Sequence, residues 1–342
     1  MKRMKHWIAG LHIRAKLIFY SYVFVTPVLI LISCLLFYHN YANAVKTEEN
    51  NCISDVKRLS DSISEIQSSI MEMGIYISIN DEIIQILTSD DPESLNADAQ
   101  VWIHQAPMQI IRDMMALDGQ MKTIALYPEN GVIPYLQCMD HSSYLRNMEV
   151  VRSRDIFKLA DEHKGKAMWQ RVGKYMSDTY QDNRSEKIVM YRMIYDLAQK
   201  ERLGYLVIGS SAKVFDVACQ NALNDEDETI VVMSSYGAEL CSCGAMERKD
   251  LDELLSQDFS KNLKKNGTGM TTYGNYRIFM CKDASTGTIT YEIVPKVDFH
   301  DLGDTIIIAP LALLFGVLIG LYPVMIMLSN IVTRPLQKLS AA

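Results

Sequence analysis

The chain has 342 residues, of which 49% are hydrophobic, and its 34 Lys and Arg against 41 Asp and Glu give a net charge of −7. The charge is unevenly placed: residues 39–304 hold all 41 acidic residues and 27 of the cations, so this segment alone has a net charge of −14. Such an acidic segment excludes nucleic acid and anionic lipid surfaces as its expected ligands.

The first predicted element is a membrane-spanning helix over residues 17–38, a charge-free apolar run. At about 1.5 Å per residue this run gives a helix of roughly 33 Å, enough to cross a hydrocarbon core of about 30 Å. A cleaved signal peptide is the alternative, because Ala42-Asn43-Ala44 resembles a cleavage site. The run is longer than a signal core of about 7–15 residues, and the next predicted helix continues through that site, so we favour an uncleaved anchor.

A second charge-free apolar run covers residues 305–333, and we predict a second membrane helix over residues 305–328. Pro310 and Pro323 lie within it, and membrane helices tolerate such prolines better than soluble helices do.

The orientation follows from the cations beside the two spans. Residues 1–16 contain five cations and no acidic residue, and the segment 329–342 that follows the second span contains Arg334 and Lys338. Cytoplasmic flanks carry such an excess of Lys and Arg. We therefore expect a two-span protein of the cell membrane, with both termini in the cytoplasm and residues 39–304 outside.

A long helix is predicted over residues 42–79, because apolar residues repeat at alternating steps of three and four. They are Val56, Leu59, Ile63, Ile66, Ile70, Met73 and Ile77. This narrow stripe is typical of a helix that pairs with a partner helix, and it predicts a dimer seam. Packing of the helix on its own domain is the alternative, and both arrangements remain open.

Short strands and turns follow. Residues 122–127 and 132–136 read as a hairpin around Asn130-Gly131, and residues 187–195 and 203–210 as a further strand pair. A shorter version of the same order recurs downstream. We predict an α/β (α+β) fold with two antiparallel-sheet lobes, the distal one over residues 120–211 and the proximal one over residues 212–304, related as a weak internal repeat.

This layout resembles the extracytoplasmic double Cache (dCache) sensor of bacterial receptors. The second span, followed by Arg334-Pro335-Leu336, resembles the opening of a HAMP linker, and together these features resemble YesM-type sensor histidine kinases. The resemblance implies a homodimer that transmits a signal through Pro310, Pro323 and this linker start. It also implies a response regulator as partner, although only through a kinase portion that this chain does not contain.

Aromatic and charged residues crowd into one stretch of the distal lobe and form our candidate ligand site. They are Trp169, Tyr180, Tyr191, Arg192 and Asp196. Aromatic faces suit stacking on organic ligands, and an Arg can hold a carboxylate with two hydrogen bonds. Strand alternation places Tyr191 and Arg192 on opposite faces, so ordinary sheet packing is the alternative for each residue.

The expected ligand is a sugar, a peptide or an organic acid, or else a solute-binding protein. Double Cache domains that bind amino acids usually carry an Arg close before a Trp, whereas Lys166 and Arg171 flank Trp169 here, which disfavours amino acids.

Cofactors, metal ions and catalytic residues are not expected. Cys241-Ser242-Cys243 lacks a second ligand pair of suitable spacing, and the outer histidines are scattered singly. The outer cysteines could form disulfides or remain buried thiols. Cys52 falls on the extended dimer seam, where it could cross-link two subunits.

We therefore expect a membrane sensor of a two-component system that binds an extracellular small ligand. A methyl-accepting chemoreceptor would share these features, and a non-signalling binding or adhesion protein would make the linker match accidental. A transporter subunit is disfavoured, because two spans without an intramembrane charge offer no polar pathway.

Overall fold

The computed structural model describes residues 13–89, 97–117, 121–130, 134–138, 144–145, 148–173, 180–181, 186–196, 201–296 and 303–340. These divide into two compact units, one made of Met1–Asn50 with Val297–Ala342 and the other of Asn51–Lys296.

The first unit contains the two apolar segments. Helix α1 (Ile13–Ile79) begins in this unit, and helix α8 (Gly303–Ser340) lies within it. Both are long and apolar enough to cross a membrane by length and composition, with mean hydropathies of 1.9 and 2.2 in their most apolar stretches. Apolar side chains such as Phe24 and Ile319 are 75% and 72% exposed, as expected of surfaces that face lipid.

Helix α8 runs without interruption through the positions predicted for signal transmission. Pro310, Pro323 and the linker start at Arg334, Pro335 and Leu336 all fall within its bounds. The predicted second span and the predicted start of the linker are therefore one helix.

The second unit begins with the rest of α1 and two further helices, α2 (Asp81–Leu87) and α3 (Ala97–Leu117). Asn80 caps α2, because its side-chain oxygen accepts hydrogen bonds from the backbone amides of Glu82 and Ile83 at 3.0 and 3.2 Å.

The N-terminal lobe is built on a five-stranded antiparallel sheet. Its strands are β1 (Met121–Pro128), β2 (Tyr135–Cys138), β4 (Met168–Val172), β6 (Lys187–Asp196) and β7 (Glu201–Ser211), in the order β2-β1-β7-β6-β4. Between β2 and β4 lie β3 (Tyr144–Leu145), α4 (Met148–Ser153) and α5 (Asp155–Glu162), and β3 pairs with β5 (Tyr180–Gln181).

The central strands of this sheet are buried on both faces. Alternate residues of β1 show this: Ile124 and Leu126 join the cluster that contains α1, whereas Ala125 and Tyr127 join the cluster that contains α5. A sheet covered on both sides needs nearly continuous apolar strands, which is the pattern that the sequence supplies here.

The C-terminal lobe follows α6 (Ala212–Ala222). Its strands are β8 (Thr229–Met233), β9 (Glu239–Gly244), β10 (Thr268–Tyr273), β11 (Tyr276–Lys282) and β12 (Ile289–Pro295), in the order β10-β11-β12-β8-β9. Helix α7 (Arg248–Leu255) covers one face through Leu251 and Leu254.

The two lobes have the same topology. Read from the opposite edge, the second sheet has the order β9-β8-β12-β11-β10, which matches β2-β1-β7-β6-β4 strand for strand. The weak internal repeat predicted from the sequence is therefore present as a repeated strand order.

The apolar stripe of α1 lies in the core of its own chain. Leu59, Ile63, Ile70 and Ile77 are at most 3% exposed and belong to the cluster that contains the first sheet, while Ile66 and Met73 pack against it half-buried. At Gly74 an added Cβ would lie 2.8 Å from Cε of Met190, so the helix meets the sheet closely. This placement corresponds to the packing alternative, and the fully buried members of the stripe offer no free surface for a dimer seam.

The beginning of the stripe packs on the second sheet. Cys52 and Val56 are 8% and 2% exposed and cluster with Phe279, Cys281 and Val294. The Cys52 thiol is therefore buried within its own subunit. This burial disfavours the cross-link between subunits that was expected from the sequence.

Candidate functional site

The predicted site residues are divided between the two faces of the first sheet. Trp169 is fully buried in the cluster that contains α1. Tyr191 is fully buried in the opposite cluster, with its ring 5.3 Å from that of Phe157, edge to face. Neither side chain lies at an open surface, and the packing alternative describes both.

The other predicted residues are spread further. Tyr180 lies in the short strand β5, with its side chain outside the described part of the structure. Asp196 is half-buried at the end of β6. Among the four residues whose side chains the structure describes, only Arg192 lines the large cleft between the lobes.

On the outer face of the first sheet, a polar network surrounds the aromatic cluster. The Arg202 guanidinium donates hydrogen bonds to the carboxylates of Glu129 (2.8 Å) and Asp161 (2.9 Å), and the Tyr205 hydroxyl donates to Asp161 at 2.7 Å. Burial, followed by the hydrogen bond to Asp161, raises the pKa of Tyr205. These groups bind one another, so the network is structural.

A cleft of about 1130 Å³ lies between the two lobes beside α1. One wall is the α1 segment from Ser68 to Ile75. The N-terminal lobe contributes residues 163, 165–168 and Arg192, and the C-terminal lobe contributes residues 235–236, 263–267 and 282–287. This volume is slightly larger than the range of about 300–1,000 Å³ typical of small-molecule pockets, so the cleft has room for an organic ligand.

Hydrogen-bonded turns fix the cleft wall of the C-terminal lobe. The amide of Gly267 donates to the carbonyl of Lys264 at 3.0 Å, and the amide of Lys282 donates to the carbonyl of Gly267 at 2.8 Å. Gly267 has φ +79°, and an added Cβ would lie 2.8 Å from the Lys282 carbonyl oxygen, so this tight approach requires glycine.

The second turn of this wall is held by Asp283. Its carboxylate accepts hydrogen bonds from the hydroxyls of Ser285 (2.6 Å) and Thr286 (2.8 Å) and from the Thr286 amide (2.6 Å). Burial raises the pKa of Asp283, but these hydrogen bonds more than offset it, so the pKa lies below its usual value. The carboxylate therefore stabilises its own turn.

The cleft is cationic although the segment that contains it is acidic. Five cationic residues line the cleft, against Glu72 and Asp283 as acids; they are Lys166, Arg192, Lys264, Lys265 and Lys282. His163 also lines it, and its Nδ1 lies 2.9 Å from the Leu159 carbonyl oxygen.

Arg192 differs from the other half-buried arginines. Arg171 binds Asp216 at 2.7 Å, and this hydrogen bond is the largest contribution to its raised pKa. Arg202 is held by Glu129 and Asp161. Arg192 makes no hydrogen bond or ion pair within the described residues, and burial lowers its pKa. Its guanidinium therefore lines the cleft without a partner among the described residues, and its five N–H donors can serve a ligand.

Arg171 and Tyr236 tie the lobes together beside the cleft. Arg171, in β4, donates to the Leu240 carbonyl oxygen at 3.0 Å as well as binding Asp216 of α6. Tyr236, from the C-terminal lobe, donates its hydroxyl hydrogen bond to the carbonyl of Trp169. The cleft walls are therefore linked by direct bonds.

Three thiols meet where the lobes join. The Cys219 Sγ in α6 lies 2.8 Å from the Cys241 Sγ in β9, and the hydrogen bond with Cys241 is the largest cause that raises the pKa of Cys219. The hydrogen bond with Cys219 is in turn the largest cause that raises the pKa of Cys243. All seven cysteines are free thiols in this structure. Across the described ranges, no group of three or more His, Cys, Asp or Glu has the geometry to hold a metal ion.

Comparison with known proteins relates this chain to sensory domains by structure alone. No protein-family model and no curated protein sequence matches it. The periplasmic sensory domain of the Campylobacter jejuni chemoreceptor Tlp1 has a TM-score of 0.52 at 11% identity, covering 76% of this chain and 98% of that chain.

Two further solved structures are similar at lower scores. The ligand-binding domain of the C. jejuni chemoreceptor Tlp3, in complex with L-valine, has a TM-score of 0.46 at 11% identity, covering 74% of this chain and 95% of its own. The extracellular domain of the proposed histidine kinase vpHK1S-Z8 has a TM-score of 0.44 at 12% identity, covering 76% and 98%. At 11% identity and a TM-score of 0.52, the likeness to the Tlp1 domain shows a shared fold, with the two antiparallel sheets expected from the double Cache resemblance.

Sequence reasoning missed the cleft because its cations come from distant parts of the chain. The Lys264-Lys265-Asn266-Gly267 run has the composition of a basic turn and could have been noted. Its position opposite Lys166 and Arg192 depends on how the two lobes pack, which no local pattern encodes.

Proposed function

We propose that this chain is the ligand-sensing part of a membrane receptor, with both termini in the cytoplasm and the second unit outside. The observation that carries the proposal is that α1 forms one wall of the cleft. Ser68, Met71 and Glu72 of this helix line the cleft, and the same helix extends to Ile13 through the apolar segment. A ligand in the cleft would contact the element that enters the membrane.

Signal transmission would be a shift between two arrangements of the helices. A ligand can bias them only by its differential affinity, and about 1–3 kcal/mol of coupling changes the output severalfold to about a hundredfold. Pro310 and Pro323 of α8 are the positions where we place flexibility along this path, and Arg334, Pro335 and Leu336 are the outlet to the cytoplasm.

The finer proposal is a YesM-type sensor histidine kinase that works as a homodimer in a two-component system. The basic linker start after the second span supports it. The response regulator would be reached through a kinase portion beyond this chain, and the ligand would be an organic solute or a solute-binding protein. The dimer contact would lie away from the buried stripe of α1.

A methyl-accepting chemoreceptor is the second candidate. It is favoured by the fold likeness to the Tlp1 sensory domain, which exceeds a TM-score of 0.5. The output domain that follows the linker distinguishes the two, because a chemoreceptor would continue as long heptad-repeat helices.

The test is a chimera in which the chain is joined after Ser340 to the cytoplasmic kinase portion of a characterised receptor. Sugars, peptides and organic acids are first screened for thermal stabilisation of the full chain. A compound that stabilises the chain should also change autophosphorylation of the chimera, and deletion of residues 334–336 should abolish that response without affecting stabilisation.

A compound that stabilises the chain but never changes the output of the chimera would favour a non-signalling binding protein. Reporter fusions after residues 16, 296 and 340 test the topology independently. An extracytoplasmic reporter should be active only at residue 296.

A further inference from the structure

We infer that the cleft between the lobes binds a small organic molecule that carries two or more carboxylate or phosphate groups. This inference rests on the proposed sensor function and names the ligand class of its site. It differs from the site predicted from sequence, because Trp169 and Tyr191 are buried core residues and only Arg192 lines the cleft.

The net charge of the residues that line the cleft is opposite in sign to that of the segment around it. Residues 39–304 contain 27 cations and 41 acidic residues, yet the cleft is lined by five cations and two acids. Like charges that share a concave, partly desolvated surface repel one another, and such a surface concentrates ions of the opposite sign. An anionic guest removes that repulsion.

The two acidic residues in the cleft do not neutralise its five cations. Asp283 accepts hydrogen bonds from Ser285 and Thr286, which hold its turn in place. Glu72 is exposed on α1. The carboxylates that line the cleft therefore leave most of its positive charge uncompensated.

Arg192 is the cation of the cleft that is best placed to bind an anionic group of a ligand. Arg171 and Arg202 are comparably half-buried, and each is bound by two carboxylates. Arg192 has no such partner among the described residues, although burial disfavours its charged form. A half-buried guanidinium is satisfied best by a planar oxyanion that accepts two parallel hydrogen bonds. We assign this role to the first anionic group of the ligand.

Cations from both lobes line the cleft, which favours a ligand with a second anionic group. Lys264, Lys265 and Lys282 come from the C-terminal lobe, whereas Lys166 and Arg192 come from the N-terminal lobe. The turns that carry the lysines of the C-terminal lobe are fixed by backbone hydrogen bonds. A ligand with an anionic group at each end binds cations of both lobes at once, and a volume of about 1130 Å³ accommodates such a molecule.

The experiment uses the full chain in nanodiscs of uncharged phosphatidylcholine, which keeps anionic lipid out of the assay. Citrate and pyrophosphate are the multivalent probes, acetate is the monovalent control and maltose is the neutral control. Calorimetric titration should detect binding of citrate or pyrophosphate to the chain, and acetate should bind much more weakly. Binding should weaken as the salt concentration rises.

Arg192→Gln should weaken binding of the multivalent probe by about tenfold or more, the typical effect of losing a charge-assisted bidentate pair. The double variant Lys264→Gln/Lys282→Gln should weaken it comparably, which tests the second lobe without altering Arg192. The control Lys213→Gln/Lys249→Gln removes two exposed lysines away from the cleft and should leave the affinity unchanged. The unliganded unfolding midpoint confirms that each variant is folded.

Equal affinity for the probe in Arg192→Gln and in the control would overturn the assignment of the site. Stabilisation by maltose or another neutral compound, with no binding of either multivalent anion, would overturn the ligand class and leave the sensor proposal intact. An anion that binds as inferred, but never changes the output of the kinase chimera, would support this inference and count against the sensor function.

Discussion

The two lobes share one strand order but differ in the segments that join their strands. In the C-terminal lobe, β10 and β11 are connected by only Gly274 and Asn275. The corresponding strands of the N-terminal lobe, β4 and β6, are separated by residues 173–186, which include the short strand β5. The same strand order therefore accommodates a two-residue turn in one lobe and a long connection at the equivalent position of the other.

The difference shows how a common scaffold acquires a site. Both sheets pack alternate apolar residues against α1, so their cores are built in the same way. Two cations of the cleft, Arg192 and Lys282, lie in the equivalent strands β6 and β11. The other three, Lys166, Lys264 and Lys265, lie in connecting segments, so the chemistry of the cleft draws on repeated strands and on the connections that differ between the lobes.

The largest loss of stability is expected from substitutions that remove a buried ring from the core of either lobe. Trp169→Ala in the first sheet and Phe279→Ala in the second remove fully buried rings and should each lower the free energy of unfolding by about 3–5 kcal/mol. Because α1 packs into both cores, each variant should shift a single cooperative transition in denaturant titration. Two separable transitions, of which only one moves in each variant, would contradict this coupling.

The next effect tests a close backbone approach in the first lobe. At Gly204 an added Cβ would lie 2.3 Å from the carbonyl oxygen of Tyr127 on the paired strand. Gly204→Ala should destabilise the chain by about 2–4 kcal/mol, because backbone atoms must move. Gly173→Ala is the matched control, since no described residue lies within 4 Å of its added Cβ. Similar stability of the two variants in denaturant would show that the strands separate easily.

A third prediction concerns a buried acid of the second sheet. Glu292 is 2% exposed, and neither carboxylate oxygen has a hydrogen-bond partner among the residues that the structure describes. Burial, with Glu228 and Asp55 nearby, raises its pKa from 4.5 to about 8. Folding therefore favours the protonated acid. The stability that it contributes is complete below pH 4.5, the unfolded pKa, and is lost as the pH rises through about 8.

The free energy of unfolding should accordingly fall by about 2–3 kcal/mol between about pH 5 and pH 8. Glu292→Gln should remove most of this fall and stabilise the chain at neutral pH. Glu253→Gln, an exposed acid on α7, is the control and should keep the fall. Parallel pH profiles for wild type and Glu292→Gln, measured by denaturant titration, would exclude a neutral Glu292.

The smallest effect concerns the link between the lobes. Arg171→Gln breaks the ion pair with Asp216 and the hydrogen bond to Leu240, at an expected cost of about 1–2 kcal/mol after allowing for partial solvent screening. It should also raise the amide hydrogen exchange of β9. Lys166→Gln, which breaks no bond between the lobes, should leave this exchange unchanged.

The sequence by itself determined the elements with strong local signals. Two charge-free runs identified the apolar helices, and near-continuous apolar residues identified the strands at 187–196 and 201–211. Periodicity and apolar length are properties of neighbouring residues, so they can be read before folding.

Only the tertiary structure decided what each element contacts. The stripe of α1 fits a partner helix and a sheet equally well by its spacing, and the sheets of the same chain occupy it. Trp169 and Arg192 looked equivalent as site residues, yet one is core and the other lines a cleft with lysines from a distant turn. Contacts between residues far apart in sequence depend on how the two lobes pack around α1, and no local pattern specifies that arrangement.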